Sequence, residues 1–386
     1  MINIYQPQVG KEELQAIKKV FDSNWLGKGN VTDQFIDDIS KKLKEATHEY
    51  GCVAINKQNL IPINSCTEAL FQVCKNLEFE PGDEVIIPSI HFIGAVNAIE
   101  ANGGTPVFCD VDPRTLNVRL TDIENKMSDK TVAVMLLHYG GRPCDMDEIM
   151  NYCTEKNITV IEDNANSPFS TYKGRSTGTI GDFGTWSFDS MKIMVMGDAG
   201  LVYCKSISDK KLIENRIYLG LKTQSGFSNT QDNKWWEFDI EQPGNRAIIN
   251  DITAAIGVEQ LKKVDGFIAK RKEIHDYYSE ELKDLDWLDI PPEISSDRTS
   301  SYYMYHIQTK KASDRDALAK YLKDNGVYTT FRYYPLHKVP FYSKKYQAIL
   351  PNTDYITEHT LCIPIHQSLT MKDALYITKK IKEFKK

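Results

Sequence analysis

The residues of this chain best suited to chemistry cluster in the segment IEDNANS…GRSTGTIGDFGTWSFDSMKIMVMGDAG, residues 161–200. Asp163 ends an apolar run that reads as a buried strand, the place where open parallel sheets present groups to a ligand. Lys192 follows the Ser-Phe end of another strand candidate and precedes Gly197-Asp198-Ala199-Gly200, where glycines let backbone approach a ligand closely. Further upstream, Ser65-Cys66-Thr67 stands between a strand and a helix, so hydroxyls and helix-start amides can hold a phosphate. An amine, a strand-end acid and a phosphate anchor are what a pyridoxal phosphate site requires: Schiff-base partner, pyridinium partner and anchor. Each also has a plainer reading: Asp163 as a helix cap or ion-pair member, Lys192 as a solvated loop lysine, and Ser-x-Thr as a helix cap only. Their joint occurrence in this chain order favours the site.

Elements that could position these residues alternate between strand and helix from about residue 50 to 205, the pattern of an α/β domain with a largely parallel sheet. The strand candidates are Cys52–Asn56, Glu84–Pro88, Thr105–Val111, Thr131–His138, Ile158–Asp163, Phe183–Phe188 and Gly200–Lys205, about seven in all. Helical periodicity predicts Thr67–Leu77 and Asp145–Lys156, preceded by two amphipathic helices with faces Leu14, Ile17, Phe21 and Phe35, Ile39, Leu43. A long helix is expected from about Asn250 to Leu285, ending before Pro291-Pro292. Beyond it, strand candidates Tyr303–Thr309 and Thr329–Tyr334 and helices near 313–325 and 371–384 suggest a small α+β domain. The expected division is a large domain over 1–250 and a small one over 251–386.

Composition narrows the function classes. The 386 residues carry 53 acidic and 47 basic side chains, a formal net charge of −6, and no long basic tract, so a phosphate-tracking nucleic-acid binder is not expected. The longest apolar run, Val132 to Leu137, falls far short of the ~20 residues of a membrane span. The opening MINIYQPQVGKEEL shows no basic region leading into an apolar one, so no secretory signal is expected. Eight cysteines without a C-x-x-C pair read as reduced, buried thiols of a cytoplasmic protein, and no metal site is expected.

Several longer stretches resemble the sugar aminotransferases of the DegT/StrS group, which are pyridoxal phosphate enzymes of fold type I. They are GDEVIIPSIHFIGAVNAIEANGGTPVFCDVDPRTLNV (82–118), GRPCDMDEIM (141–150), the 161–200 segment, DITAAIGVEQLKKVDGFIAKR (251–271) and RYYPLH (332–337). The resemblance implies that Lys192 bonds to the cofactor and shuttles a proton, a task that a lysine with a pKa lowered by burial performs well. It also implies that Asp163 pairs with the pyridine nitrogen, and that Phe92 stacks on the ring, its plainer reading being core packing. Thr67, the amide of Glu68, and Ser187 would hold the phosphate. A homodimer with shared active sites, an L-glutamate donor and a keto or aldehydo sugar acceptor, most often nucleotide-linked, are implied likewise.

Departures from the family pattern concern specificity. Asn166 stands where Gln or His usually meets the cofactor's phenolic oxygen. Arg332 replaces a usual His, adding a planar cation suited to carboxylate or phosphate, unless it is spent on a structural ion pair. The run VAINKQNLIPINSCTEA is longer than the usual connection and reads as an insertion of Lys57–Ile63 beside the phosphate anchor. PGNRAIIND replaces the usual partner-facing run, leaving Asn245 or Arg246 as the residue reaching the neighbouring phosphate. The WSFDSMK wording and Arg332 also suit a narrower acceptor, an oxidised eight-carbon acidic sugar (Kdo), with Arg332 or Arg246 meeting its carboxylate. A non-catalytic pyridoxal-binding regulator is the reading from another class, and the retention of Lys192 argues against it.

Overall fold

Aliphatic and β-branched runs become strands buried on both faces in the computed structural model, which describes residues 1–45, 55–222 and 238–384. The strands are β1 (Leu60–Ile63), β2 (Glu84–Pro88), β3 (Thr105–Cys109), β4 (Thr131–Leu137), β5 (Thr159–Asp163), β6 (Thr171–Tyr172), β7 (Arg175–Ser176), β8 (Phe183–Ser187) and β9 (Gly200–Cys204). Seven of them form one sheet in the order β1-β9-β8-β5-β4-β2-β3. Within it β8, β5, β4, β2 and β3 are parallel, and β9 runs antiparallel to both β8 and β1. Strand alternation sends Val85 and Ile87 to one face, with Leu70 and Val73 of the helix Cys66–Asn76, and Ile86 to the other, with Ile149 and Cys153 of the helix Met146–Glu155. Helices on both faces are what a sheet of this kind needs to bury its apolar surface.

The helix Asp251–Leu282 leads from this sheet to a second one. There β10 (Leu288–Asp289), β12 (Tyr305–Thr309) and β13 (Thr360–Ile363) pair antiparallel, while β11 (Arg298–Thr299) joins the β6–β7 hairpin. Leu318, Leu322, Ile377 and Ile381, from helices Ala312–Asp324 and Met371–Glu383, pack with Ile274, Tyr278 and Leu282 of the long helix. At its start, the Asp251 carboxylate accepts N–H bonds from Gly29, Val31 and Thr32, so one acid also fastens the first turn of the helix Asn30–Glu45.

Three expectations need correction. Of the first strand candidate, 52–54 lie outside the described residues, and Ile55 and Asn56 are not in a strand. The strand is β1, because Asn56 accepts from the Gln58 N–H to open a 3-10 turn at Lys57–Asn59, and Asn59 Nδ2 then donates to the Cys204 carbonyl at 2.9 Å. Lys57–Ile63 thus holds that turn and the strand that leads into the anchor. In the helix Lys11–Asp22, Leu14 and Phe21 are exposed, and the buried positions are Val20 and Glu13. Glu13 accepts from Gln260 and Lys263 on the long helix, and that polar contact decides which side turns inward. Over 329–334 only an isolated bridge forms, Thr330 with Cys362.

Burial pushes the imidazoles of His275 and His366 down to about 4 and that of His306 down to about 3. The unfolded chain, with histidines near ~6.5, then binds more protons than the folded one as pH falls through this window. The stability these neutral rings confer is present above about pH 6.5 and lost towards the folded values. Urea unfolding should show a midpoint that declines from pH 6.5 to 4, with a shallower slope in His306→Gln.

Candidate active site

Every residue singled out in the 161–200 segment lies at or beside the carboxyl edge of the large sheet. Alternation at the end of β5 points adjacent acids to opposite faces. Glu162 is fully buried and fully supplied: its oxygens accept N–H bonds from Gly178, Ile180 and Gly181 at 2.8, 2.7 and 2.6 Å. His138 adds a fourth donor, because its Nδ1 accepts from the Cys144 N–H, which leaves the proton on Nε2 to donate to Glu162 at 2.9 Å. Asp163, 1% exposed, is poorly supplied: Ala165 N–H donates to Oδ1 at 2.9 Å, and His91 Nε2 stands 3.7 Å from Oδ2. Burial holds the His91 imidazole below its ordinary value against the pull of Asp163, so the ring is neutral at neutral pH. A buried carboxylate with so few donors is an incomplete half of a charge pair.

Across the cavity, the loop after β8 presents Lys192. Its backbone N–H donates to the Asp189 carbonyl, and Phe188 and Met196 close the loop on each other and on Ala199. The side chain is 9% exposed, and Nζ lies 5.0 Å from the centre of the Tyr303 ring. Burial acts to lower its pKa, yet Tyr303, Tyr333 and Asp163 outweigh burial and the ammonium is raised, contrary to the expectation of a lowered value. A cation taken up by Asp163 would weaken its pull on the amine.

The third part is the start of the helix Cys66–Asn76. Ser65 caps it, its Oγ accepting the Glu68 N–H at 3.1 Å, so the amide expected to meet a phosphate is engaged with the cap. The N–H groups of Cys66 and Thr67, first in the helix, have no acceptor within it. Ser187 ends β8 beside them. Gly200 is required by the close approach of β9, since a Cβ there would come 2.6 Å from the Ser65 carbonyl carbon.

Thr67, Phe92, Asp163, Ser187, Lys192 and Arg332 line one cavity of about 260 Å³, together with Asp189, Met191, Asp198 and Tyr333. Phe92 caps the helix Ile93–Ala101 with its ring 40% exposed, which sets aside core packing. Asn166 is fully buried beside Tyr333, its Nδ2 3.4 Å from the phenol oxygen, and its Oδ1 has no partner among the described residues. Arg332 has no carboxylate within 4 Å among the described residues, so the structural ion pair is set aside too; Met191 Sδ is 3.4 Å from Nη2 and the Tyr5 ring 4.8 Å from Cζ. Asn245 and Arg246 are not in this cavity. Asn245 is hydrogen-bonded to Glu68 and Gln72 of its own chain, and the exposed Arg246 lies over the Tyr218 ring.

Sequence reasoning missed Tyr5, His91, Tyr303 and Tyr333. Tyr333 had a signal, its place in RYYPLH, and His91 lay in the quoted PSIHF run. Tyr5 and Tyr303 had none, being brought in by tertiary packing alone. The under-supplied acid, the amine facing it and the free helix-start amides fit pyridoxal phosphate in charge and hydrogen-bonding demand.

A mostly parallel seven-stranded sheet with this site at its carboxyl edge defines a fold type I pyridoxal phosphate enzyme. Comparison with family profiles matches residues 7–382 to the DegT/DnrJ/EryC1/StrS aminotransferase family, and the chain belongs to that family. It is an aminotransferase with pyridoxal phosphate as cofactor. Among curated relatives, it is 41% identical over 370 residues to dTDP-4-dehydro-2,3,6-trideoxy-D-glucose 4-aminotransferase of Saccharopolyspora spinosa, covering 96% of this chain and 93% of that one. It is 33% identical to GDP-perosamine synthase of Escherichia coli O157:H7, covering 99% and 98%. The crystal structure of the aminotransferase TlmJ from Streptoalloteichus hindustanus superposes with a TM-score of 0.91 at 40% identity, covering 100% of this chain and 98% of that one.

Replacing Glu162 by Ala would leave three amides and His138 without their buried acceptor. Equilibrium denaturation should show a loss of about 3–5 kcal/mol.

Proposed function

We propose that this enzyme transfers an amino group from L-glutamate to a nucleotide-linked keto sugar, supplying an amino sugar for surface polysaccharide or lipopolysaccharide. The observation that carries this reading is the incompletely paired Asp163 across the cavity from Lys192, beside the free amides that open the helix at Cys66. The names of the relatives, one for a dTDP-linked 4-keto sugar and one for a GDP-linked amino sugar, support the acceptor class.

The roles follow from position. Asp163 holds a proton on the ring nitrogen of the cofactor, which when bound supplies the electron sink for amino-group transfer. Lys192 would hold the cofactor, and its amine at Nζ would hold and return the substrate's proton. Phe92 would cover the ring, Asn166 would meet its phenolic oxygen, and Thr67, Ser187 and the helix-start amides of Cys66 and Thr67 would take the phosphate, the Glu68 amide being engaged by the Ser65 cap. Arg332 receives an anionic group of a substrate. Asn245 and Arg246, outside this chain's own cavity, serve the neighbouring site of a homodimer. Residues 1–250 form the cofactor-binding domain and 251–386 the smaller one that brings Arg332 to the cleft. A cytoplasmic location agrees with the absence, among the described residues, of a helix long and apolar enough to cross a membrane.

Arg332, a cation without an acidic partner among the described residues, favours one second reading, in which the acceptor is oxidised Kdo, whose own carboxylate would occupy the guanidinium. Incubation with glutamate and either a dTDP- or UDP-linked keto sugar or oxidised Kdo separates the two: the nucleotide sugar should be aminated, and turnover of oxidised Kdo alone would overturn the proposal. The holoenzyme should show a visible absorbance that glutamate bleaches and that Lys192→Ala abolishes. An unchanged spectrum in both experiments would sink the transaminase chemistry.

A further inference from the structure

The start of the chain packs against Arg332, which lines the same cavity. Ile2 pairs with Val327, its N–H donating to the Gly326 carbonyl at 2.7 Å while its own carbonyl accepts from Tyr328 at 2.9 Å. On the other side, the Pro7 carbonyl accepts from Ser368 at 3.2 Å and that of Gln8 from Gln260 at 2.8 Å. Fastened at both ends, the arm places Tyr5 in the interior, 9% exposed. Its ring stacks on Tyr303, with centres 5.2 Å apart and planes 14° from parallel. The Arg332 guanidinium lies over the Tyr5 ring at 4.8 Å, and Lys192 Nζ lies 5.0 Å from Tyr303. A row of two aromatic rings thus links the lysine to the one cavity arginine.

The phenol oxygen of Tyr5 is buried without a hydrogen-bond partner among the described residues, so the residue serves through its ring and not its hydroxyl. An aromatic face attracts a guanidinium and fixes its plane, and a guanidinium stacked by its face keeps its N–H edge for oxygen acceptors. No carboxylate of the described residues takes that edge, and the cavity lies beside it. We propose that Tyr5 is a positioning residue for substrate recognition: its ring orients Arg332 to bind an anionic oxygen group, the carboxylate of the amino donor or a phosphate of the nucleotide-linked acceptor. The assignment rests on the reading of Arg332 as a substrate residue.

The test uses the cofactor-loaded enzyme. Tyr5→Leu should raise KM for the substrate that carries the anion roughly three- to thirty-fold with little change in kcat, and Tyr5→Phe should restore it. Pentafluorophenylalanine at position 5 keeps the ring's shape while removing its attraction for cations, so it should reproduce the Tyr5→Leu effect even where Tyr5→Leu fails to fold. In an Arg332→Met background, ring fluorination should have no further effect. A rise confined to glutamate assigns the carboxylate, and one confined to the nucleotide sugar assigns the phosphate. Calorimetric titration with maleate and with pyrophosphate reads the same site without turnover, so a catalytically silent wild type would overturn the proposed function and still leave Tyr5 tested. Unchanged KM and unchanged probe affinity on fluorination would overturn the assignment, as would a Tyr5→Phe enzyme behaving like Tyr5→Leu.

Discussion

Two neighbouring carboxylates end β5, and burying both without matching donors would be prohibitively costly in a low-dielectric interior. Strand alternation separates them, and the protein treats them oppositely. Glu162 is completed by three amides and a histidine whose tautomer is set by a further backbone bond, so it locks the turn at 178–181 to the sheet. Asp163 is left with one amide and a neutral His91 beyond hydrogen-bonding distance. The rest of the site can be read as the surroundings of that deficit: the cavity is where the missing positive charge must come from, and Lys192 is the amine that faces it.

This arrangement places demands on elements far away in the chain. The sheet order brings the ends of β1, β2, β5 and β8 and the start of β9 to one edge, so the helix cap at Ser65, the ring of Phe92, Asp163 and Ser187 converge without any being close in sequence. Gly200 is the price of that convergence, since any side chain there would collide with the backbone of the Ser65 cap. From the other side, the N-terminal arm and segments flanking the smaller sheet contribute Tyr5, Tyr303, Arg332 and Tyr333 and stand opposite Asp163.

Much of the fold was legible because alternating apolar runs bounded by polar turns have few alternatives. The strand at 84–88 appeared with its expected ends, and those beginning at 105, 131, 183 and 200 were each shorter by one or two residues. The failures have local causes. The strand at 60–63 was not foreseen because the asparagine-capped turn at 56–59, a side-chain device, sets where pairing with β9 begins. The first helix turned its expected apolar face outward because a buried glutamate found two donors on the long helix. The raised lysine pKa was missed because burial is foreseeable from apolar surroundings, while the facing acid and phenols come from other parts of the chain.

By itself, the amino-acid sequence determined the chemical inventory and its order: a lysine after one strand, an acid at the end of another, a hydroxyl-rich helix start, and an unusual arginine before Tyr-Tyr-Pro. These are local properties, set by residue type and by the periodicity of strands and helices. Only the tertiary structure decided which donors each acid receives, that Arg332 has an aromatic platform and no acidic partner among the described residues, and that Asn245 turns to its own chain's Glu68. Those are statements about distances between segments up to some three hundred residues apart. Charge and hydrogen-bond satisfaction depend on such distances at the scale of an ångström, which residue order alone does not encode.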